Sequence, residues 1–101
     1  MKYYYHATPM ENYDSIHEKG ILRGCDRVIY LAEEPEEAAR FVAIRGYKEI
    51  LVCKVYIDEN LVEESFDHNE NFFKCKAYTY PQDISRYSIR NYLGYEIRAG
   101  E

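Results

Sequence analysis

His6 and Tyr30 are the two side chains whose type and setting point to chemistry in this chain. His6 follows the aromatic run Tyr3-Tyr4-Tyr5 and precedes Ala7-Thr8-Pro9-Met10-Glu11. The run reads as a strand ending at the histidine, and a helix start follows. Thr8 takes the N-cap position, Pro9 the first helical position and Glu11 the capping-box acid. An imidazole at such a mouth is held rigidly beside unpaired backbone N–H groups, which suit an anion. A second strand-to-helix junction occurs where Val28-Ile29-Tyr30-Leu31 runs into Glu33-Glu34-Pro35-Glu36-Glu37. An imidazole that can orient a hydroxyl and a phenol that can stack on a ring together make a small-molecule site.

Each residue also has a plainer reading. His6 fits a structural histidine bonded to a backbone carbonyl, and Tyr30 fits ordinary core filling; the two junctions in series favour a site. His17, on the apolar side of a helix, reads as core or interface, and His68, in an acidic loop, as solvated. These histidines and the cysteines at 25, 53 and 75 show no ligand spacing, so no metal is expected. The Glu33–Glu37 run reads as a helix-capping surface. Arg86, Arg90 and Arg98 fit a weak basic patch near the C-terminus, but read better as solvated strand-face charges. No phosphate-binding glycine loop or nucleophile elbow is present.

The elements that position these residues fit one domain spanning residues 1–101. A chain of this size buries roughly two-thirds of its unfolded surface, enough for a core without staples. The net charge of -5 argues against affinity built on nonspecific phosphate contacts, but not against a nucleotide in a pocket. Three widely spaced cysteines suggest no disulfide framework. With no signal-peptide core and no apolar run long enough for a bilayer, a cytoplasmic chain with no membrane partner is expected. Twelve tyrosines and no tryptophan favour half-wet surfaces and core filling.

Lys2 to His6 reads as the first strand and Met10 to Lys19 as a helix, with Tyr13, Ile16 and His17 on one side and Gly20 at C′. Val28 to Leu31 reads as a short strand, and Pro35 to about Ile44 as a helix closed by Gly46. Glu49 to Ile57 alternates: Leu51, Cys53, Val55 and Ile57 point one way, Val52, Lys54 and Tyr56 the other. Asp58 to Asn60 is a turn, Glu63 to Asn71 an acidic loop, and Cys75 to Tyr80 a strand ended by Pro81. Ile84, Ile89, Tyr92 and Ile97 indicate one or two further strands. The fold class is α+β, with short helices inserted early into an antiparallel framework.

The order of these pieces resembles the ADP-ribosyltransferase superfamily, in particular its small bacterial members and, more distantly, the RNA 2′-phosphotransferases. The residues that carry the resemblance are Tyr5-His6-Ala7-Thr8, Lys19-Gly20-Ile21-Leu22 and Val28-Ile29-Tyr30-Leu31-Ala32 with Ala38-Ala39-Arg40-Phe41. The strand Ile50 to Val55 and the segment Ala77 to Ile84 follow in order. The motifs are short, and their order and spacing over most of the chain give the resemblance its weight.

The resemblance implies a split β-sheet fold whose cleft holds NAD as substrate, with transfer of ADP-ribose to a protein, RNA or small acceptor. It places His6 on a ribose hydroxyl, the backbone of Ala7 on the nicotinamide amide, with Thr8 completing the motif, and Tyr30 against the nicotinamide ring. The third motif falls on the Cys75–Tyr80 strand, where active transferases often carry glutamate. That strand holds no acid; the register leaves Lys76, Tyr78 or Thr79, with Tyr78 preferred. The RNA 2′-phosphotransferases carry a histidine where this chain has Tyr30, so their specific activity is not expected. Glu33 or Glu34 could supply the missing charge. The alternative is a silent member of the same fold that binds a nucleotide or a protein without turnover.

Overall fold

The computed structural model describes residues 1–65 and 77–97. Its central strand is the one whose residues are most suited to a pleated, two-sided surface, Glu49–Ile57 (β3). It pairs antiparallel with Lys2–Pro9 (β1) on one side and Ile89–Glu96 (β6) on the other. A second antiparallel sheet contains Ile29–Leu31 (β2), Ala77–Tyr80 (β5) and Glu63–Ser65 (β4), with β5 in the middle. Two α-helices, Tyr13–Lys19 (α1) and Pro35–Ala43 (α2), complete a small α+β domain among the described residues. No helix there is long and apolar enough to cross a membrane.

Alternation along β3 divides the interior into two parts. Leu51, Cys53, Val55 and Ile57 join Tyr4, Ile16, Ile29, Leu31 and Ile84 in one cluster. Ile50 and Val52 face the other way, against Ala38, Ala39, Phe41 and Val42 of α2. The alanines of α2 let its backbone approach the sheet, and its Pro35, Glu36 and Glu37 occupy the first turn, where missing N–H donors and acids are favourable. Helix α1 has only seven residues, too short to hold itself in water, so the burial of Ile16 sustains it.

Two local expectations give way to long-range pairing. Thr8 is not an N-cap and Pro9 is not the first residue of a helix: both extend β1, opposite Leu51 and Ile50. A 3-10 turn over Met10–Asn12 follows, and neither it nor α1 has a side-chain cap. The Thr8 hydroxyl instead accepts from Asn12 Nδ2 at 2.7 Å. The start of the segment read as an acidic loop is strand β4, because β5 offers it an open edge; Asp58 caps a 3-10 turn over Glu59–Leu61 just before it. One C-terminal strand, β6, takes up the last segment, and Ile84 forms an isolated bridge with Ile21. His68, Phe72, Phe73, Cys75, Lys76 and Arg98 lie outside the described residues.

The cysteines differ in a measurable way. Cys53 is fully buried in β3, and burial pushes its thiol up to about 12, whereas Cys25 is exposed. Thiolate is the reactive form, so alkylation at pH 8 should mark Cys53 at least about 100-fold more slowly than Cys25. Peptide mapping by mass spectrometry reads the two sites separately, and denaturant should abolish the difference.

Candidate functional site

Beyond their shared core cluster, the two sheets are joined among the described residues by an antiparallel backbone bridge between β1 and Ala32, the residue that follows β2. Tyr5 and Ala32 exchange both backbone hydrogen bonds there, each 2.9 Å long. Past that bridge the ladder between the strands does not continue, and the imidazole of the next residue, His6, reaches the Tyr30 carbonyl at 2.9 Å through Nδ1. A carbonyl only accepts, so Nδ1 carries the proton and Nε2 of the neutral ring presents a lone pair. His6 therefore stands at the seam between the sheets, three residues before the end of β1, and not at a helix mouth.

A cavity of about 320 Å³ opens beside this seam, lined by His6, Ala7, Tyr30, Ala38, Phe41, Val42 and Arg45. Three of the four residues expected to bind a cofactor, His6, Ala7 and Tyr30, thus share one hollow. Thr8 lies elsewhere: it lines a second cavity of about 170 Å³ with Asn12, Ser15 and Gly20, and His6 forms a wall of both.

Tyr78 is not brought to this hollow. In the second sheet it pairs with Leu31, whereas the partner of Tyr30 is Thr79. Adjacent strand residues point to opposite faces. Tyr78 packs toward the cluster containing Tyr4, with ring centroids 5.9 Å apart, and its hydroxyl donates to Glu33 Oε1. That bond to a carboxylate, with burial, raises the phenol's pKa. Glu33 also accepts from Lys2 Nζ at 3.4 Å, so its carboxylate is engaged away from the cavity. Thr79 stands between Tyr30 and Glu63 in the register, which puts an acid of β4 in the Tyr30 row.

Helix α2 supplies what the sequence reading left out. Ala38, Phe41 and Val42 lie on one stripe of α2, and Arg45, in the turn two residues past its end, continues the i, i+3, i+4, i+7 spacing. That stripe was a readable signal, and its last member is a guanidinium at the cavity. Among the described residues, no hydrogen bond or ion pair occupies the Arg45 guanidinium. The hollow therefore combines an apolar wall, a neutral acceptor, a phenol and a cation. No group of histidines, cysteines and acids among the described residues could hold a metal.

Burial lowers the pKa of His6, and the charge of Arg45 lowers it further, against the opposing pull of the Tyr30 carbonyl. A histidine held neutral binds fewer protons folded than unfolded at pH values just below its usual 6.5. Its stability contribution is therefore fully present above pH about 6.5 and falls as pH drops toward the lowered folded value. Denaturation midpoints from pH 7.5 downward should show this loss in the native chain. His6→Asn, which does not titrate, should lack that component.

No protein-family model matches the chain, and no curated protein matches it.

Proposed function

We propose that the chain is an ADP-ribosyltransferase-like domain of the split-sheet type, which takes NAD by its nicotinamide–ribose end. The observation that carries this reading is the shared cavity of His6 and Tyr30, with the imidazole locked so that Nε2 remains an acceptor. Among the described residues, two antiparallel sheets linked by the Tyr5–Ala32 backbone bridge, with two helices early in the chain, support the finer fold assignment. The volume sits at the low end of ligand pockets, about 300–1,000 Å³, so it suits one ring and one sugar and leaves the rest of a dinucleotide outside.

In this reading Nε2 of His6 accepts from a ribose hydroxyl. The Tyr30 face attracts the cationic nicotinamide ring. Arg45 takes the nearby phosphate charge. Breaking the ribose–nicotinamide bond sends its electron pair to nicotinamide, which leaves neutral. The sugar carbon becomes oxocarbenium-like, as in glycoside cleavage, until a nucleophile on a protein, RNA or small acceptor attacks it and loses its proton to solvent. Holding NAD bent, with dipoles around that carbon, is the protein's contribution.

A second reading, binding without turnover, is favoured by one observation: among the described residues no carboxylate lines the cavity. Calorimetric titration with NAD, combined with chromatography for released nicotinamide, distinguishes the two. Binding lost in Tyr30→Ala, with nicotinamide released by the native chain, supports the transferase. Binding with no release supports the silent form. Absence of NAD binding overturns both.

A further inference from the structure

The first sheet has a stretch of open face beyond the cover of α2. Helix α2 lies over Ile50 and Val52, with Tyr5, Leu93 and Tyr95 packed around them. Further along the same face, Tyr3 and Tyr56 are direct cross-strand partners with ring centroids 4.7 Å apart. The Lys54 ammonium sits over the Tyr3 ring at 4.4 Å, and the Arg90 guanidinium over the Tyr56 ring at 5.4 Å. The result is a continuous row of cation, ring, ring and cation.

The backbone explains the row. Lys54 and Tyr56 are two apart on β3 and share a face. Arg90 is the extra residue where the β3–β6 register shifts, between Asn91 opposite Lys54 and Ile89 opposite Val55. Bulges of this kind re-aim a side chain. Tyr3 is 46% exposed, and Arg90 is exposed. Neither cation is ion-paired with an acid among the described residues. On a chain of net charge -5, two uncompensated cations flanking two rings are a local exception.

Flat apolar rings suit unstacked bases, and flanking cations suit the phosphates between them. A duplex hides its base faces and would leave the rings unused. We propose that this open face binds a short single-stranded segment of nucleic acid, with bases on Tyr3 and Tyr56 and phosphates on Lys54 and Arg90. This site is separate from the His6–Tyr30 cavity and does not depend on what that cavity holds.

The test is fluorescence anisotropy of labelled ten-nucleotide oligo(dT) and oligo(U), titrated with the full chain across a salt series. Two phosphate contacts predict a log–log salt slope of about −1.4, from −0.7 per contact on single strands. Lys54→Gln with Arg90→Gln should bring that slope close to zero. Tyr3→Ala and Tyr56→Ala should each weaken binding about fivefold or more, while Tyr→Phe at either position preserves it. Arg86→Gln, off the row, should leave affinity unchanged. Melting curves confirm that each variant is folded. No binding at low salt, equal competition by a duplex, or an unchanged slope in the double glutamine variant overturns the proposal. So does binding to phosphatidylserine vesicles without binding to the oligonucleotides.

Discussion

Gly20→Ala should destabilise the domain by about 3 kcal/mol or more, lowering its melting temperature by roughly 12 °C or more for a domain of this size. Two independent causes add. Gly20 has φ 80° and ψ −167°, a region that essentially only glycine occupies. A Cβ there would also lie 2.3 Å from the Ile84 carbonyl oxygen and 2.8 Å from the Arg86 nitrogen. Both contacts are backbone, so no side chain can swing aside. Relief requires moving the 84–86 segment away, which strains the bridge of two 2.8 Å hydrogen bonds between Ile21 and Ile84. The exposed Arg23–Asp83 contact beside it, at 3.2 Å, would loosen as well. Gly46→Ala is the internal comparison. It too has positive φ, 95°, but a Cβ there meets nothing within 4 Å. That variant should lose only the backbone-strain share, about 1–2 kcal/mol. Equal losses in the two variants would refute the close-approach argument.

The second large effect separates what His6 does for the fold from what it does for a ligand. His6→Asn keeps an N–H donor near the position of Nδ1 and removes Nε2. Its bond to the Tyr30 carbonyl should survive, leaving stability within about 1 kcal/mol of native. His6→Ala removes that donor and should cost about 1–3 kcal/mol where the carbonyl is left buried. If the cavity takes NAD as proposed, both variants lose the acceptor, and affinity should fall about three- to tenfold from one neutral hydrogen bond. Chemical denaturation and calorimetry on the same samples read the two quantities. Full NAD affinity in His6→Asn would remove Nε2 from the site; a stability loss equal to that of His6→Ala would remove the seam argument.

Much of the framework was legible because it depends on neighbours along the chain. The period of two in β3 announced its two faces, and both faces pack as that alternation requires. Pro35 and the acids after it marked the start of α2 correctly. Gly20 was readable as a helix terminator, and it follows α1 directly, its N–H reaching the Ile16 carbonyl at 2.8 Å. That Ile84 presses against it was not readable, since 64 positions separate the two in the chain. The N-cap at Thr8 failed for a related reason. Local capping is worth about 1 kcal/mol, and two more ladder positions against buried Ile50 and Leu51 outweigh it. Glu63 read as loop because charged residues disfavour strands, yet on a sheet edge they are tolerated.

The sequence by itself determined which residues could meet: an imidazole at His6 and phenols at Tyr30 and Tyr78. Only the tertiary structure decided which of them do. The Tyr5–Ala32 bridge sets His6 beside Tyr30, and the pairing of Tyr30 with Thr79 turns Tyr78 to the other face. The physical reason is register: a shift of one residue reverses every side chain on a strand, and nothing within a single strand records which partner it will meet.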